Sequence, residues 1–480
     1  MKPPKWAWLS VAGIAAAFIV FQPWRVLSTD IWLALVCGRE IFAHGLPHQD
    51  MLTSGTLGKT WTDQQWLAQA IIYAIHRAAG LRSALVVQAL ITGATFMLTS
   101  QYALRRASFA STFVYGLAGF GLGATFFTLR PQMFSLLGFA ALLVLLGEDY
   151  EKPSKRVFWT IPILCLWANL HGVVSLGAAF VGLRGFFDII HKRWGRGILL
   201  GALAAPTPLF SPYARELPRY FHDIGRLQDP VRELPIQEWN RVEWPSDIPY
   251  FLIAAFTVVL IAVLHWKKLA RPTPFESVVI VGTAVAPLMA SRHLQWFGLA
   301  IAAYAPRALD SIAVIREGRV IDKAAWLTRF VAPLAFVVCV IRLYAMSDAS
   351  LEREYPRDVL PVLKKTAAEH PESKIAISDY FADWALWYIP ELEGRVVFDV
   401  RFELLDDAQA RAMGTFSFAK RGWEPLYPDA HIVLVTRKNH KDLDHGLEAR
   451  GATVIWSDAI GRLFWRAADP PQAGRHGGDR

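Results

Sequence analysis

The side chains of this sequence that could do chemistry are few and of three kinds. Asp30, Asp50, Asp63 and Glu238 are carboxylates, able to hold or take a proton. Arg130, Arg292, His171 and His293 are basic or hydrogen-bonding groups. The guanidinium fork of arginine matches carboxylate and phosphate oxygens two at a time. Trp61, Trp66 and Trp239 offer flat faces for stacking. Each has a plainer reading. Asp30 stands at the start of "STDIWLALVCGREIF", an amphipathic stretch with Ile31, Leu35 and Phe42 roughly on one face, and could cap it, although Ser28 and Thr29 also offer caps. Asp50 follows a Gly-Leu-Pro turn and could close an Asx turn. Asp63 follows Thr62 at a helix start, where capping is the plainer role. His171, in the tight turn "NLHG", could make a structural hydrogen bond. The arginines could snorkel to head groups, and the tryptophans could belong to an interfacial belt.

The elements that must position these groups are mostly apolar. Of 480 residues, 54% are hydrophobic, 19 are Trp, and mean hydropathy is +0.28. The apolar residues come in blocks such as "FSLLGFAALLVLLG" and "YFLIAAFTVVLIAVL". About 20 such residues cross the hydrocarbon core as a helix. Eleven spans are expected near 6–23, 82–103, 109–128, 132–147, 157–170, 172–189, 197–212, 249–266, 274–290, 293–309 and 326–346. The stretch 157–189 reads as a helical hairpin or one broken helix. The N-terminal "MKPPKWAWLSVAGIAAAF" lacks an Ala-x-Ala cleavage motif and reads as an uncleaved first span. Cys37, Cys165 and Cys339 lie far apart and suggest neither a disulfide framework nor a zinc site.

With the N-terminus in the cytoplasm, every inside loop is basic. The loops carry Arg105 and Arg106; Lys152, Lys155 and Arg156; Lys192, Arg193 and Arg196; Lys267, Lys268 and Arg271; then Arg307, Arg316, Arg319 and Lys323. That is the positive-inside pattern, and it accounts for the net charge of +9 without a nucleic-acid partner. The same orientation gathers the chemistry-bearing residues on the outer face, in 24–81, "LRPQ", "NLHG", "SRHLQ" and 213–248. Arg130 and Arg292 fall in turns too tight to be solvated loops, and charges at a membrane boundary are costly unless paired or functional. Beyond Ala345 the pattern changes. "KIAISD", "RVVFDV", "AHIVLVT" and "ATVIWSD" alternate with helical stretches. This predicts a small parallel or mixed sheet. The domains expected are a transmembrane domain 1–347 with first outer loop 24–81, an extracytoplasmic α/β domain 348–468 and a disordered tail 469–480.

The order of features resembles the polytopic membrane glycosyltransferases of the GT-C fold, among them protein O-mannosyltransferases, aminoarabinose transferases and oligosaccharyltransferase catalytic subunits. It is especially similar to a group of bacterial membrane proteins of this type. The residues that carry the resemblance are Asp30-Ile31-Trp32, "GLPHQD" and "WTDQQWL" in the first loop, then "RPQMFS", "NLHG", "QEWN" and "VVFDVRFE", over about residues 1–410. The tight Asp-x-Asp pair of some members is absent, which leaves a divalent metal an open question.

The resemblance implies a polytopic, mainly α-helical inverting transferase of the bacterial inner membrane. It would move a sugar from a polyprenyl-phosphate donor to a saccharide, lipid or protein acceptor. An acceptor hydroxyl then needs a nearby base, and the leaving phosphate needs a cation. Asp30 is the expected base, with Asp50 as a second carboxylate or a metal ligand. Arg292 with His293, then Arg130, are expected at the phosphate. His171, Glu238, Asp63, Trp61 and Trp66 are expected to bind substrate. A polysaccharide polymerase or ligase, or a non-catalytic envelope-assembly protein, is the alternative. A secondary transporter would show inverted repeats, and none is present in the sequence.

Overall fold

The computed structural model describes residues 27–226, 237–269, 272–311, 333–417, 423–437 and 441–466. The expected first span and the expected tail lie outside them. The chain is mostly helical. It divides into two compact units, one of residues 1–39, 64–217 and 237–347, the other of 40–63, 218–236 and 348–480. Residues 40–63, read from sequence as part of the first loop of the membrane domain, thus pack with the C-terminal third.

The first unit includes α1 (Thr29–His44) as far as Arg39, and the helix's residues from Glu40 on are counted with the second unit. Next comes α2 (Trp66–Leu104), a single run of 39 residues interrupted at Gly80. There φ is +79°, open to glycine and rarely to other residues. The break separates an initial segment from the apolar stretch that was expected at 82–103. Then follow α3 (Phe109–Gly123) and α4 (Gln132–Glu151). A hairpin of α5 (Thr160–Trp167) and α6 (Val174–Ile190) comes next, so the 157–189 segment is two helices. After α7 (Trp194–Ala204) and α8 (Leu217–Arg226), which beyond Leu217 belongs to the second unit, come α9 (Ile248–Trp266), α10 (Pro274–Val285), α11 (Leu294–Tyr304) and α12 (Pro333–Ala345). Among the described residues, four helical stretches are long and apolar enough to cross a membrane: Trp66–Leu104, Phe109–Phe126, Gln132–Glu151 and Ile248–Trp266.

Helix α11 is buried at every residue from Gln295 to Tyr304, as expected of a helix apolar on all sides. Lipid tails are as apolar as leucine, so close packing, more than exclusion of water, holds such helices together. Gly119 of α3 and Gly298 of α11 show how. A Cβ at either position would overlap the backbone carbonyl of the other. This contact fixes α11 against α3, and those two helices lead to the turns that carry Arg292 and Arg130.

The second unit holds a four-stranded sheet of order β1-β2-β4-β3, with β1 (Lys374–Ile377), β2 (Ala430–Thr436), β3 (Thr453–Ser457) and β4 (Gly461–Trp465). Strands β1 and β2 are parallel, and β4 is antiparallel to both β2 and β3. Ile432, Val433, Leu434 and Val435 are all fully buried, the run of β-branched and aliphatic residues expected of a covered strand. The stretch "RVVFDV" is not a strand of its own. It contributes an isolated bridge from Val396 to Ile375 of β1 and another to Thr53. Ser54 and Gly55 donate to the carbonyls of Val396 and Val397 at 2.7 and 3.0 Å. Residues 52–55 are thereby laid along the sheet edge. Helices Val359–Glu369, Asp379–Tyr388, Asp407–Ser417 and Lys441–Glu448 complete the unit.

Candidate active site

In the first unit, Leu27 pairs with Leu129 in a parallel bridge, and the Ser28 hydroxyl donates to the Leu129 carbonyl at 3.3 Å. This lays the residues before α1 beside the turn before α4. Pro131 ends that turn, its ring holding φ near the helical value as α4 begins. Asp30, the second residue of α1, then lies 3.2 Å from Arg130 through Oδ2 and Nη1. The same Nη1 reaches Glu238 Oε2 at 2.8 Å. Glu238 sits in a single turn, Gln237–Trp239, packed beside another, Ser291–His293. The Ser291 amide donates to the Asn240 carbonyl at 2.7 Å and holds the two together. The Arg292 guanidinium lies 4.4 Å from the Trp239 ring centroid, within cation–π range.

Arg130 is 5% exposed, while the side chains of Asp30 and Glu238 keep 35% and 25% exposure. The cluster is thus closed behind the guanidinium and open on the carboxylate side. Arg130 Nε and the buried amide oxygens of Gln132 and Gln295 have no hydrogen-bond partner among the described residues. Burial lifts the Asp30 carboxyl above the usual range, and the Glu238 charge adds to this against the pull of Arg130. Burial acts on Glu238 too, but Arg130 and Arg292 together outweigh it and hold that carboxyl below its usual range. Burial, with Arg292 and Arg130 nearby, pushes His171 down to about 3, and burial with Arg292 pushes His293 to about 4. Both imidazoles are neutral at neutral pH. The "NLHG" turn is tied to the start of α2, where the Trp66 indole donates to Asn169 Oδ1 at 3.0 Å and the Leu67 amide donates to the Asn169 carbonyl at 3.1 Å.

Asp50, Trp61 and Asp63 belong to the second unit. Asp50 is fully buried. Its oxygens accept from the Leu52 amide at 2.9 Å and from the hydroxyls of Thr53 and Thr56 at 2.7 and 2.5 Å, and Arg401 Nη2 lies 2.8 Å away. Burial alone would raise this carboxyl, yet Arg401 and the hydrogen bonds depress it. Arg401 also binds Asp399 at 2.6 Å and lies over the Trp61 ring at 4.5 Å from its centroid. That ring is 4% exposed. Glu403 is pushed up to about 7 by burial, which outweighs Arg401 and a hydrogen bond from Trp61. Asp63 is buried at 2% exposure. The sequence reading marked "VVFDVRFE" as a landmark without giving Asp399, Arg401 or Glu403 a role.

The ten candidates therefore separate. Asp30, Arg130, His171, Glu238, Arg292, His293 and Trp66 lie in one unit, and Asp50, Trp61 and Asp63 in the other. Among the described residues, no three His, Cys, Asp or Glu side chains are placed to hold a metal ion.

No protein-family model and no curated protein matches the sequence, so the likeness to known proteins is one of shape. The chain is similar to ArnT of Cupriavidus metallidurans solved bound to undecaprenyl phosphate, with a TM-score of 0.55 and 13% identity over 96% of this chain and 97% of that one. The apo oligosaccharyltransferase of Archaeoglobus fulgidus gives 0.55 at 11% identity, over 98% of this chain and 75% of that one. The oligosaccharyltransferase AglB of the same organism, in complex with an inhibitory peptide and a dolichol-phosphate, gives 0.52 at 10%, over 97% and 75%. The fold is GT-C-like. A GT-C-like chain with these apolar helices is a membrane protein.

Proposed function

We propose that this chain is an inverting glycosyltransferase that takes a sugar from a polyprenyl-phosphate donor at the extracytoplasmic face of a bacterial inner membrane. The observation that carries this reading is the half-open Asp30–Arg130–Glu238 cluster. Support comes from a fold similar to that of a protein solved with undecaprenyl phosphate and another solved with a dolichol-phosphate. In the proposed step, the acceptor hydroxyl gives its proton to Asp30 as its oxygen bonds to the anomeric carbon. The bond from that carbon to the phosphate oxygen breaks, and the electron pair stays on the phosphate. Two neighbouring carboxylates with divergent proton affinities divide the labour. Asp30, raised, is the better base, and Glu238, held ionised, keeps Arg130 in place. Arg292, braced on Trp239, meets the leaving phosphate. His293 is neutral and contributes a hydrogen bond there instead of a charge. Asp50 has its oxygens engaged within the second unit, which supports a structural role for it, with Trp61 and Arg401.

In this reading the chain crosses the membrane eleven times, its N-terminus is cytoplasmic, and residues 348–468 form an extracytoplasmic α/β domain. A reporter active only outside the cytoplasm should then work when fused after Ala345 and stay silent after His191. The direct test is transfer. Purified protein in vesicles, given labelled polyprenyl-phosphate sugars and a panel of acceptors, should release polyprenyl phosphate and form a product of inverted configuration. Arg292→Ala should slow this by about 100-fold or more, the scale for losing a preorganised contact to developing charge. Lys267→Ala, which removes a cation at the far end of α9, should leave the rate unchanged. Absence of transfer across the panel, or equal mild losses in both variants, would remove the reading.

A further inference from the structure

The remaining question is which cation serves the two carboxylates, and it rests on the glycosyltransferase reading above. Converging carboxylates are ordinary ligands for a divalent ion. Here the place between them is taken. Arg130 Nη1 lies 3.2 Å from Asp30 and 2.8 Å from Glu238. At 5% exposure the guanidinium is nearly enclosed by protein. The His171 imidazole is neutral, held so by burial and by Arg292 and Arg130, which act on it with the same sign as a metal ion would. Among the described residues, no third acid, cysteine or histidine completes a ligand set. Charge points the same way. Asp30 and Glu238 bring two negative charges, and Arg130 and Arg292 bring two positive ones. A divalent ion added between these carboxylates would stand against a guanidinium that already contacts both of them. Displacing Arg130 would strand a buried guanidinium, and both are costly.

We propose that Arg130 fills the role of the divalent cation, holding Asp30 and Glu238 together and balancing their charge, so that this protein transfers sugar without a bound metal. An arginine stays protonated at any working pH, so neither chelation nor pH removes this cation.

Two measurements test the proposal. Chelator-washed, full-length protein is titrated with Mn²⁺ and followed by electron paramagnetic resonance. The wild type should show no bound-ion signal beyond that of Asp30→Asn. A stoichiometric Mn²⁺ signal in the wild type that Asp30→Asn abolishes would overturn the proposal. This titration needs no substrate, so it decides the question even if the donor class is wrong. In the transfer assay, excess chelator should leave the rate unchanged. Arg130→Gln should be slower by at least about 100-fold and gain nothing from added Mn²⁺, while Arg130→Lys, which keeps the charge, should recover part of the rate. Transfer that chelator stops and Mn²⁺ restores would likewise overturn it. Complete lack of transfer under every condition would count against the glycosyltransferase reading instead.

Discussion

At the C-terminal end of α4, Asp149 meets Arg184 at 2.9 Å and Arg196 at 2.6 Å, and Asp188 meets Arg184 at 2.9 Å and Arg196 closer still. At the N-terminal end, about 30 Å away by helix rise, a single nitrogen of Arg130 serves Asp30 and Glu238. Both are ionic clusters in a largely apolar unit, yet they differ in closure. Asp149, Asp188 and Arg184 side chains are at most 1% exposed, and each carboxylate has at least two guanidinium partners, Asp188 a third in Arg193. These side chains tie α4, α6 and α7 together and leave a ligand no opening. At the other end the carboxylates stay partly exposed, at 35% for Asp30 and 25% for Glu238. The contrast separates a lock from a site. Paired charge by itself says little about function. Paired charge with an open side fits the needs of a substrate.

The largest expected effect would break the lock. Arg184→Ala leaves Asp149 and Asp188 short of a partner in a buried setting, which typically costs about 3–5 kcal/mol. The thermal midpoint of the purified protein should fall steeply, and loss of transfer should follow loss of fold. The corresponding test of the site is Asp30→Asn. Here the fold should survive, because the residue is not enclosed, while transfer falls at least about 100-fold, the lower scale for losing a general base. An unfolded Asp30→Asn, or a stable Arg184→Ala, would reverse the assignment of lock and site.

A third prediction concerns the scaffold that brings the site's turns together. Gly298→Ala forces α11 away from α3 and should cost about 1–3 kcal/mol as overpacking, read from the thermal midpoint. Transfer per folded molecule should fall as well, because α11 leads directly to Arg292. A smaller effect sharpens the comparison through pH. Glu238 raises the proton affinity of Asp30. Glu238→Gln removes that influence, so the acidic limb of the transfer rate should move to lower pH. A limb that stays put, or moves upward, would separate the two carboxylates. A last effect belongs to the second unit. Glu403 has a folded value of about 7 against 4.5 in the unfolded chain, so the folded state binds the extra proton and stability falls as pH rises between those values. Glu403→Gln should flatten that slope in a thermal-melt series.

Much of the helical layout was legible, because a membrane helix writes its presence as an unbroken apolar run. The stretches 109–128, 132–147 and 249–266 each contain a helix close to the expected length. The Gly80 break was less visible, since a glycine within an apolar stretch does not by itself announce a positive φ. Three of the four β-rich stretches became strands. "RVVFDV" did not, because its neighbour on one side is residues 52–55, more than 340 positions away, and local pattern carries no trace of that pairing. Strand β4 was missed because "GRLFW" is short and begins with glycine.

The sequence by itself determined which segments are apolar, which residues are titratable, and that several acids, arginines and histidines stand at segment boundaries. Hydropathy and residue type are local properties, and local order reports them. Partnership was decided only in three dimensions. Asp30 and Arg130 are 100 residues apart, and Arg130 and Glu238 are 108 apart. Asp50 stands 20 residues after Asp30 in the chain but folds into the other unit against Arg401. Two aspartates of one loop, equal as sequence, thus become a half-open carboxylate with raised proton affinity and a closed one with lowered affinity. The physical reason is that proton affinity depends on burial and on the nearest opposite charge, and both are set by segments that meet only when the chain folds.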